Sequence, residues 1–436
     1  MVSFEDLGLA EPVRRALAEE KYLIAIPIQA QTIPTVLSRR DVVGIARTGT
    51  GKTAAFALPI LHQLILDQRR PERKTCRVLV LSPTRELSSQ ILDSFRAYGR
   101  HVRVSAALAI GGVSMGRQVR ELLNGLDILV ATPGRLLDLV RGNALRLGRV
   151  KFLVLDEADR ILDMGSIHDV RKIIARLPLH RRTLLFSATM RRAIEELAGQ
   201  MLRDPAKIAV TPAASTVEQV KQHIICVDCA EKPAVLAGIL KRETIDRALA
   251  FTRTKRGADK VVRSLARVGI AQAIDSDKPQ NQRDRVLAAF REGQLRTLIA
   301  TDIAARGIDV ERISQVVNFD LPNVPETCVH RIGRTGRAGA ADSTISLCDA
   351  EEAKILRDIE KLICKPISTL DARTFLRSRE QSASQSRTEP SLAGNRCSEF
   401  VERDAETRSK ETKPSFQQRR RNPATSAPLH SVRGQG

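Results

Sequence analysis

Short apolar runs alternate with amphipathic stretches along most of the chain. Each run is followed by a polar or glycine-containing turn and then by a segment with helical periodicity. Such runs are typical of buried parallel strands, which helices cover on both faces. The pattern predicts an α/β fold with strands at VVGIA (42–46), RVLVL (77–81), DILVA (127–131), KFLVL (151–155), TLLFS (183–187), HIICV (223–227), ALAFT (248–252), TLIAT (297–301), QVVNF (315–319) and STISL (343–347).

One interruption divides this alternation into two halves. The stretch VTPAASTVEQV contains Pro, small residues and hydroxyls without a strong period. We therefore predict two domains of similar size at 1–210 and 217–370, joined by a linker at 211–216. Beyond residue 370 the apolar runs stop and Arg, Ser, Gln, Glu and Pro dominate. This composition predicts a disordered basic tail at 371–436.

The charge balance indicates the class of partner. Lys and Arg number 71 against 50 Asp and Glu, which gives a formal net charge of +21. A polyanion, and a nucleic acid first, is the expected partner. Aromatic residues make up only 3% of the chain and there is no Trp. Repeated stacking on bases is therefore excluded as the main binding mode, and contacts with the nucleic-acid backbone are expected.

Hydropathy and cysteine content bear on location. No apolar stretch approaches the roughly eighteen residues that a membrane-spanning helix needs, and MVSFEDLGLA lacks a basic start followed by an apolar core. We expect a cytoplasmic protein with no membrane partner. The seven cysteines fit a reducing compartment better than a disulfide framework. Cys226 and Cys229 are interpreted as ordinary strand residues, because no further zinc ligands follow at suitable spacing.

The segment ARTGTGKT joins a predicted strand to an apolar helix. Glycines let backbone N–H groups turn toward phosphate oxygens, and the helix N-terminus adds positive potential. Lys52 would reach the outer phosphates of a nucleotide, and Thr53 would offer a hydroxyl to Mg²⁺. The context favours a phosphate-binding loop over a chance glycine-rich turn. Its candidate ATP-binding residues are Ala46, Arg47, Thr48, Gly49, Thr50, Gly51, Lys52 and Thr53.

Two acidic residues follow the predicted strand KFLVL directly. They therefore stand at the carboxyl end of a buried strand, where open α/β sheets bind ligands. Asp156 would hold Mg²⁺, largely through water, and Glu157 would position and deprotonate an attacking water. Acidic residues here can also be the favourable first turn of a helix. Together with Lys52 they favour nucleotide hydrolysis.

Arginines are dense near the end of the second predicted domain, in HRIGRTGRAG. Phosphoryl transfer spreads negative charge over equatorial oxygens, which a planar guanidinium from another domain can neutralise. Arg334 and Arg337 are therefore candidate catalytic residues, acting when two domains close. Direct RNA binding by the same segment is the alternative interpretation.

Ordered motifs connect these features with a known family. They are PTRELSSQ (83–90), Gly111-Gly112, TPGR (132–135), DEAD (156–159), SAT (187–189), ATDIAARGID (300–309) and HRIGRTGR (330–337). On these motifs the chain resembles DEAD-box ATP-dependent RNA helicases from residue 1 to about 370. The phrase DRILDMGSIHDV and the short basic tail are similar to the bacterial RhlE-like branch.

The resemblance implies a fold and further residue roles. It implies two tandem RecA-like domains, each a mostly parallel sheet flanked by helices, with ATP and Mg²⁺ at their cleft. Gln29 would recognise adenine, Tyr22 would lie against the base, and Gly307 and Asp309 would contact the nucleotide, with Asp309 at the ribose. The residues that would couple nucleotide state to RNA are Ser187, Thr189 and His330. The RNA-binding residues would be Thr84, Arg85, Gly112, Thr132, Arg135, Arg253, Arg283 and Thr301.

Several positions depart from the family's usual residues. Lys21 replaces Gly, Ala25 and Ile26 replace Pro-Thr, Ser166 replaces Phe, Asp275 and Ser276 replace His-Gly, and Cys328 replaces Tyr. Without a hydroxyl at Ile26, one polar link to the phosphate-binding loop is lost, so weaker adenine sensing is expected. The other exchanges concern packing or the RNA side.

The resemblance implies an RNA-stimulated ATPase that closes on ATP and RNA and separates short duplexes with little sequence preference. An ATP-gated RNA clamp or ribonucleoprotein scaffold with weak or no unwinding is the alternative, and a DNA-directed motor is a third possibility. We also expect a monomer whose tail recruits ribonucleoprotein or ribonuclease partners.

Overall fold

A computed structural model of the protein describes residues 2–46, 50–210, 220–242, 245–265, 271–274, 278–305, 313–332, 343–363 and 365–376. Within these ranges the chain forms two seven-stranded sheets and a small two-stranded one. Both large sheets belong to one compact unit. Among the described residues, no helix combines the length and apolar character that a bilayer crossing requires.

The amino-terminal segment precedes the first large sheet. A short antiparallel pair joins β1 (Val2–Ser3) to β2 (Ile24–Ala25). Between them lie a 3₁₀ turn and α1 (Glu11–Glu19), and α2 (Pro27–Leu37) follows. Phe4 is 3% exposed and packs into the apolar core on one face of the first sheet. This packing attaches the segment that carries Tyr22 and Gln29 to the sheet.

The first large sheet is entirely parallel, as the unbroken apolar runs predict. In β4, alternate residues serve two cores: Val78 and Val80 enter one, and Leu79 and Leu81 enter the other. The strands are β3 (Val42–Ile45), β4 (Cys76–Leu81), β5 (Ala106–Ala109), β6 (Leu126–Ala131), β7 (Phe152–Leu155), β8 (Arg182–Ser187) and β9 (Ala206–Ala209), in the spatial order β5-β6-β4-β7-β8-β3-β9.

Helices connect these strands on both faces of the sheet. Every connection runs from the carboxyl end of one strand to the amino end of the next, so one edge of the sheet collects all the carboxyl ends. The connecting helices are α3 (Lys52–Leu66), α4 (Arg85–Tyr98), α5 (Met115–Leu122), α6 (Pro133–Arg141), α7 (Ala158–Asp163), α8 (Ile167–Ile174) and α9 (Arg192–Met201).

The second large sheet repeats this plan. Its strands are β10 (Lys221–Cys226), β11 (Ala248–Thr252), β12 (Ala271–Ile274), β13 (Thr297–Thr301), β14 (Gln315–Asn318), β15 (Ser343–Cys348) and β16 (Ser368–Thr369), in the parallel order β12-β13-β11-β14-β15-β10-β16. Its helices are α10 (Lys232–Leu240), α11 (Lys255–Leu265), α12 (Gln280–Arg291), α13 (Asp302–Ala305), α14 (Pro325–Ile332), α15 (Ala353–Ile363) and α16 (Arg373–Leu376).

The predicted α/β fold and the ten predicted strands are confirmed, with ends that shift by one or two residues. The sequence analysis missed β5, β9, β12 and β16, because AALA, AKIA and AQAI carry a weak apolar signal and β16 has two residues. The predicted linker at 211–216 lies outside the described residues.

The predicted start of the tail at residue 371 is wrong. Phe375 in α16 is 3% exposed and belongs to the core of the second sheet. Its backbone approaches Gly238 of α10 so closely that a Cβ there would lie 1.9 Å from the Phe375 carbonyl oxygen. The ordered part of the chain therefore continues at least to Leu376. The sequence shows no sign of this contact, since the pair Phe375-Leu376 is too short to form an apolar run.

The interpretation of the close cysteine pair also changes. Cys226 ends β10 and is disulfide-bonded, whereas Cys229 lies in the following turn and is free and exposed. The two residues are therefore not both ordinary strand residues. Disulfide formation depends on which residues the fold brings beside the end of β10, and spacing along the chain does not give that information.

Candidate active site

The loop with the phosphate-binding pattern connects β3 to α3. Gly51 has a φ of +67°, in the left-handed region that glycine adopts without penalty, and α3 begins at the next residue, Lys52. Lys52 is 6% exposed, and its Nζ donates to the Ala46 carbonyl oxygen at 3.1 Å. The ammonium therefore lies across the loop at a helix N-terminus, where an anion is favoured. Thr53 lies in the first turn of α3, and Arg47, Thr48 and Gly49 lie outside the described residues.

Gln29 links the amino-terminal segment to this loop. Its side chain is buried, with Oε1 accepting from the Ile26 amide at 3.1 Å and Nε2 donating to the Gly51 carbonyl at 3.3 Å. A change in the conformation of the loop therefore moves the carbonyl oxygen to which Gln29 donates. Tyr22 is 40% exposed, and its ring makes an edge-on contact with Phe4, with centroids 6.3 Å apart.

An alanine at Gly51 is expected to weaken ATP binding about tenfold or more. Its Cβ would lie 2.5 Å from Gln29 Nε2 and 2.6 Å from Ile26 Cδ1, so the amide must leave the loop. One lost hydrogen bond costs about 1 kcal/mol, and a positive φ at a non-glycine residue costs about 1–2 kcal/mol. Calorimetric titration with a nonhydrolysable ATP analogue measures the effect.

Gly8→Ala is the matched control for this variant. Gly8 has a φ of +68°, and nothing lies within 4 Å of an added Cβ. The control therefore imposes the same backbone strain without displacing Gln29. Equal ATP affinities of Gly51→Ala and Gly8→Ala would contradict a role for the Gln29–Gly51 contact.

Two buried carboxyl groups follow the end of β7. Asp156 is 2% exposed and Glu157 is 3% exposed. Burial raises the pKa of Asp156 well above its usual range; Lys52 opposes this shift and Glu157 adds to it. Glu157 has a φ of +52°, a costly conformation for a side-chain-bearing residue, and its carboxylate lies 3.4 Å from Arg160 Nη1. The fold thus keeps two carboxyl groups buried next to Lys52, although their desolvation and the backbone conformation of Glu157 both cost free energy.

Asp159 joins this cluster to the end of β8. Its Oδ2 accepts from the backbone amides of Ala188 and Thr189, each at 3.1 Å, and from Thr189 Oγ1 at 3.3 Å. Ser187 Oγ donates to the Thr189 carbonyl at 2.7 Å and accepts from the Asp159 amide at 3.3 Å. The sequence analysis gave coupling roles to Ser187 and Thr189 but none to Asp159, which binds both.

The segments predicted to bind RNA from the first sheet lie at its carboxyl edge. Thr84 caps α4, with Oγ1 accepting from the Leu87 amide at 3.3 Å. The Arg85 guanidinium lies against Gly112, whose φ is +74°, and a Cβ there would lie 2.3 Å from Arg85 Nη1. Glycine at this position therefore leaves the space that Arg85 occupies.

The neighbouring turn after β6 is held in a similar way. Thr132 precedes α6, and its amide donates to the Ala109 carbonyl at 3.0 Å. Arg135 Nη1 donates to the Val113 carbonyl at 2.9 Å and to Gln118 Oε1 at 3.1 Å. The turns after β4, β5 and β6 thus lie side by side and bring together Thr84, Arg85, Gly112, Thr132 and Arg135.

A buried ion pair connects α4 of the first sheet with α12 of the second. Arg283 Nε and Nη2 lie 2.9 and 2.7 Å from Glu86 Oε1, and the two side chains are 5% and 4% exposed. Gln280 Nε2 donates to the same oxygen at 3.3 Å, and Arg85 Nη1 donates to Gln280 Oε1 at 3.3 Å. This differs from the expectation that Arg283 binds RNA directly, because its guanidinium is buried against Glu86.

Arg253 lies after β11 and is held by a buried charge network. Its Nη2 donates to Glu352 Oε1 at 2.5 Å, and the side chain is 39% exposed. Glu352 Oε2 accepts from Lys232 Nζ at 2.6 Å, and Lys232 is fully buried and also 2.9 Å from Asp349. Burial alone would lower the pKa of Lys232, but hydrogen bonds with Glu352 and Asp349 raise it. The network holds the Arg253 guanidinium at the carboxyl edge.

The remaining predicted residues of the second sheet are only partly within the described ranges. Thr301 is 6% exposed and its Oγ1 accepts from the Ala304 amide at 3.4 Å, capping α13. His330 lies in α14. The residues that lie outside the described ranges are Gly307, Asp309, Arg334 and Arg337.

Arg331 is a residue whose role the sequence analysis missed. Its guanidinium is buried and binds both carboxylate oxygens of Asp302, at 2.6 and 2.8 Å. It also donates to Asn318 Oδ1 at 3.0 Å and to the Asp320 carbonyl at 2.7 Å. Arg331 therefore ties the start of the HRIGRTGR segment to the ATDIAARGID segment. The dense arginines were visible in sequence, but which of them is structural was not.

Comparison with known proteins identifies the family. The sequence model described as DEAD/DEAH box helicase matches residues 26–197, and that of the helicase conserved C-terminal domain matches residues 231–339. The DEAD-box ATP-dependent RNA helicase CshA of Bacillus subtilis is 39% identical over 361 residues, covering 83% of this chain and 72% of that relative. The chain belongs to the DEAD-box helicase family.

Other members of the DEAD-box family are similar in sequence and structure. DEAD-box ATP-dependent RNA helicase 30 of Arabidopsis thaliana is 43% identical over 83% of this chain, which spans 62% of that relative's length. The structure of S. cerevisiae Dbp5 bound to RNA and ADP BeF3 has a TM-score of 0.75 and 30% identity, covering 85% of this chain and 96% of that chain. The two parallel sheets are therefore the tandem RecA-like arrangement of the family.

Five departures from the DEAD-box pattern lie within the described residues, and of these Ala25 ends β2 and Ile26 precedes α2. Lys21 has a φ of +61°, so a position where the family usually has Gly keeps its left-handed backbone at a cost of about 1–2 kcal/mol. Ser166 precedes α8, and Cys328 is 2% exposed, with burial raising its thiol pKa to about 11. Asp275 and Ser276 lie outside the described residues.

The cluster at the carboxyl end of β7 suits a divalent cation. Asp156 and Glu157 are buried side by side; burial raises the pKa of Asp156, Lys52 opposes this shift and the neighbouring Glu157 adds to it. Carboxylate and hydroxyl oxygens, with water, are the ligands that Mg²⁺ prefers. Asp156 and Thr53 therefore fit the predicted Mg²⁺ site.

Proposed function

We propose that this protein is an RNA-dependent ATPase that closes its two RecA-like domains on ATP and RNA and separates short RNA duplexes. Membership of the DEAD-box family supports the use of ATP and RNA. The observation that carries the proposal is the buried contact of Glu86 with Arg283 and Gln280, because it joins the two sheets beside the predicted RNA-binding turns. Closure and RNA binding therefore depend on the same segment.

The ATP side of the proposal rests on the groups around α3 and β7. Lys52 and the N-terminus of α3 bind the phosphates, and Gln29 senses the loop through Gly51. Glu157 accepts the proton of the attacking water. Mg²⁺, held by Asp156 and Thr53 largely through water, would neutralise phosphate charge. Arg334 and Arg337 would complete the site from the second domain.

The RNA side rests on backbone contacts. Arg85, Thr132, Arg135 and Arg253 lie at the carboxyl edges of the sheets and would bind phosphates and 2′-hydroxyls, so RNA is preferred over DNA with little base specificity. A strand bent by these contacts is incompatible with a continuous A-form duplex, and the complementary strand is released. Asp159, bound to Ser187 and Thr189, transmits the state of the nucleotide site.

The test measures ATP hydrolysis and strand release together. We expect RNA to stimulate the ATPase rate at least tenfold, a DNA oligonucleotide of the same sequence to stimulate it far less, and ATP to drive release of a strand from a duplex of about ten base pairs. Equal rates with and without RNA would overturn the proposal. ATP-dependent retention of RNA without strand release would support the clamp instead.

Several finer statements about this protein stay predictions. They are the roles of individual site residues, a monomeric state, a cytoplasmic location, the RhlE-like branch, and ribonucleoprotein or ribonuclease partners recruited by the tail. Size-exclusion chromatography with light scattering tests the predicted monomeric state. A single species of about 48 kDa, the mass of one chain, is the expected result.

A further inference from the structure

The amino edge of the first sheet, opposite the edge described above, is strongly basic. We define the basic edge as residues 67–75, 141–151 and 175–182, which lead into β4, β7 and β8, three adjacent strands. These segments contain eleven Lys and Arg residues, nine of them Arg, against two acidic residues, Asp67 and Glu72. None of these cations belongs to the predicted ATP or RNA site. The proposed function therefore leaves this concentration of charge unexplained.

Backbone contacts join the first two segments into one surface. Thr75 and Arg146 form a parallel bridge, and the Arg146 amide donates to the Lys74 carbonyl at 2.8 Å. Arg146 Nη2 also donates to the Arg73 carbonyl at 3.0 Å, and Arg149 lies 2.8 Å from Glu72. The arginines are therefore presented from a fixed backbone.

The third segment is attached to the second. The Arg182 amide donates to the Lys151 carbonyl at 2.8 Å, where β8 begins beside β7. Arg181 Nη1 donates to the Pro178 carbonyl at 2.7 Å. Because the three segments lead into adjacent strands, they line a continuous stretch of the edge about 10 Å wide, given a spacing of about 4.8 Å between strands.

Most of these cations are available to a ligand. The side chains of Arg69 and Arg149 are 79% and 65% exposed, and Arg70, Arg73 and Arg146 are also exposed. Asp67 binds Arg69, Arg77 and Lys151, so one carboxylate serves three cations. Ion pairs this exposed contribute little in water, and like charges held together repel each other in the free protein. A polyanion would relieve that repulsion.

We propose that the basic edge is a second RNA-binding surface, which holds the phosphate backbone of RNA that extends beyond the strand bound at the carboxyl edge. The proposal rests on the proposed function in one respect, namely that RNA is the substrate. Arg predominates over Lys here, and the guanidinium fork matches phosphate oxygens in pairs. The six residues of β4 separate the two edges by about 20 Å. Only an RNA longer than the carboxyl-edge site can therefore reach both.

The consequence is that substrate length decides affinity. A strand of about ten nucleotides binds at the carboxyl edge alone, whereas a structured or long RNA is held at two places. The second contact keeps the RNA on the protein after one duplex segment has been released, because dissociation then requires both contacts to break. The enzyme would thereby prefer large folded RNAs over short oligonucleotides without reading their sequence.

The test removes charge from the basic edge and compares two RNA lengths. The edge variant is Arg70→Gln/Arg73→Gln/Arg146→Gln/Arg149→Gln. We expect its affinity for a forty-nucleotide single strand to fall at least tenfold at low salt. We also expect its plot of log K against log salt to become shallower by up to about 2.8, since each lost phosphate contact of a single strand removes about 0.7. Binding of a ten-nucleotide strand, and the ATPase rate at saturation with it, should stay unchanged.

A matched control removes the same number of charges elsewhere. Arg96→Gln/Lys260→Gln/Arg263→Gln/Arg357→Gln changes four exposed cations on helices away from the basic edge. Equal affinities and salt slopes of the edge and control variants for the long RNA would overturn the proposal. Leu179 is 73% exposed within the basic edge, so vesicles containing phosphatidylglycerol are included. Loss of vesicle binding with unchanged RNA binding would assign the surface to a membrane and also overturn it.

Two further measurements separate possible failures. If the fourfold variant does not fold, Arg70→Gln/Arg73→Gln, which leaves the pair of Arg149 with Glu72 in place, is expected to give about half the change in salt slope. A failure of the proposed function would abolish RNA-stimulated hydrolysis in the unmodified protein with RNA of either length. A failure of this inference alone would leave that stimulation intact and remove only the dependence on RNA length in the edge variant.

Discussion

Replacement of Glu157 by Gln is expected to lower RNA-stimulated ATP hydrolysis about a thousandfold while ATP still binds. General-base catalysis contributes about 10²–10⁴ in rate, and Gln has the shape of Glu without a group that accepts the proton. Lys52, Gly51 and the N-terminus of α3 remain in place to bind the phosphates. The loss should therefore appear in the chemical step and leave ATP affinity within a few-fold of wild type.

Single-turnover hydrolysis and equilibrium binding of ATP measure these two quantities separately. Asp163→Asn is the control, because it removes a carboxylate from α7, the helix that Glu157 precedes, where Asp163 pairs with Arg191 at 2.8 Å, outside the buried cluster. The Glu157→Gln protein should also retain RNA in the presence of ATP, since closure no longer ends in hydrolysis. A hydrolysis rate within tenfold of wild type would rule out Glu157 as the base.

Much of the fold follows from local patterns. The unbroken apolar runs predicted ten strands of the two sheets, because strands covered on both faces have no polar side. Short strands such as β5 and β12 were missed, since four residues rich in Ala carry little apolar signal. The predicted boundary at residue 371 was wrong because a contact distant in sequence decides it. Phe375 is buried by a tertiary contact with α10, and the composition of the segment gives no information about that contact.

The candidate site shows the same difference between features set by local sequence and features set by tertiary contacts. The phosphate-binding loop and the pair Asp156 and Glu157 were predictable because their chemistry depends on residues adjacent in sequence. The Glu86–Arg283 pair joins residues 197 positions apart, and the Arg331–Asp302 pair depends on two turns meeting. In sequence, each of these residues is one charge among many. The fold alone selects which charges are buried together.

The PTRELSSQ segment joins the predicted RNA-binding turns to the contact between the two sheets. Thr84 and Arg85 lie with the predicted RNA-binding turns, and the next residue, Glu86, binds the second sheet. RNA that binds Arg85 as proposed would therefore act on a residue adjacent to the contact between the sheets. Because binding free energies are reciprocal, closure driven by ATP must raise RNA affinity by the same factor as RNA raises ATP affinity.

Breaking the Glu86–Arg283 pair is expected to lower RNA-stimulated ATPase activity about a hundredfold and leave the basal rate unchanged. Removing one partner of a buried ion pair costs about 3–5 kcal/mol, and about 1.4 kcal/mol corresponds to a factor of ten. Glu86→Gln and Arg283→Gln each remove one of the two charges that face each other between α4 and α12 and keep the other buried there. Lys52 and Glu157 are untouched, so hydrolysis without RNA should continue at its own rate.

A double-mutant cycle distinguishes this pair from two independent RNA contacts. If the charges act on each other, Glu86→Gln/Arg283→Gln should lose no more activity than either single variant, because neither charge of the pair remains and the amides still fill the space. Arg285→Gln, an exposed residue on α12, should behave as wild type. Additive losses in the double variant would instead mean that Arg283 acts on RNA separately from Glu86. The contact between the two sheets would then not be the element that couples RNA to ATP.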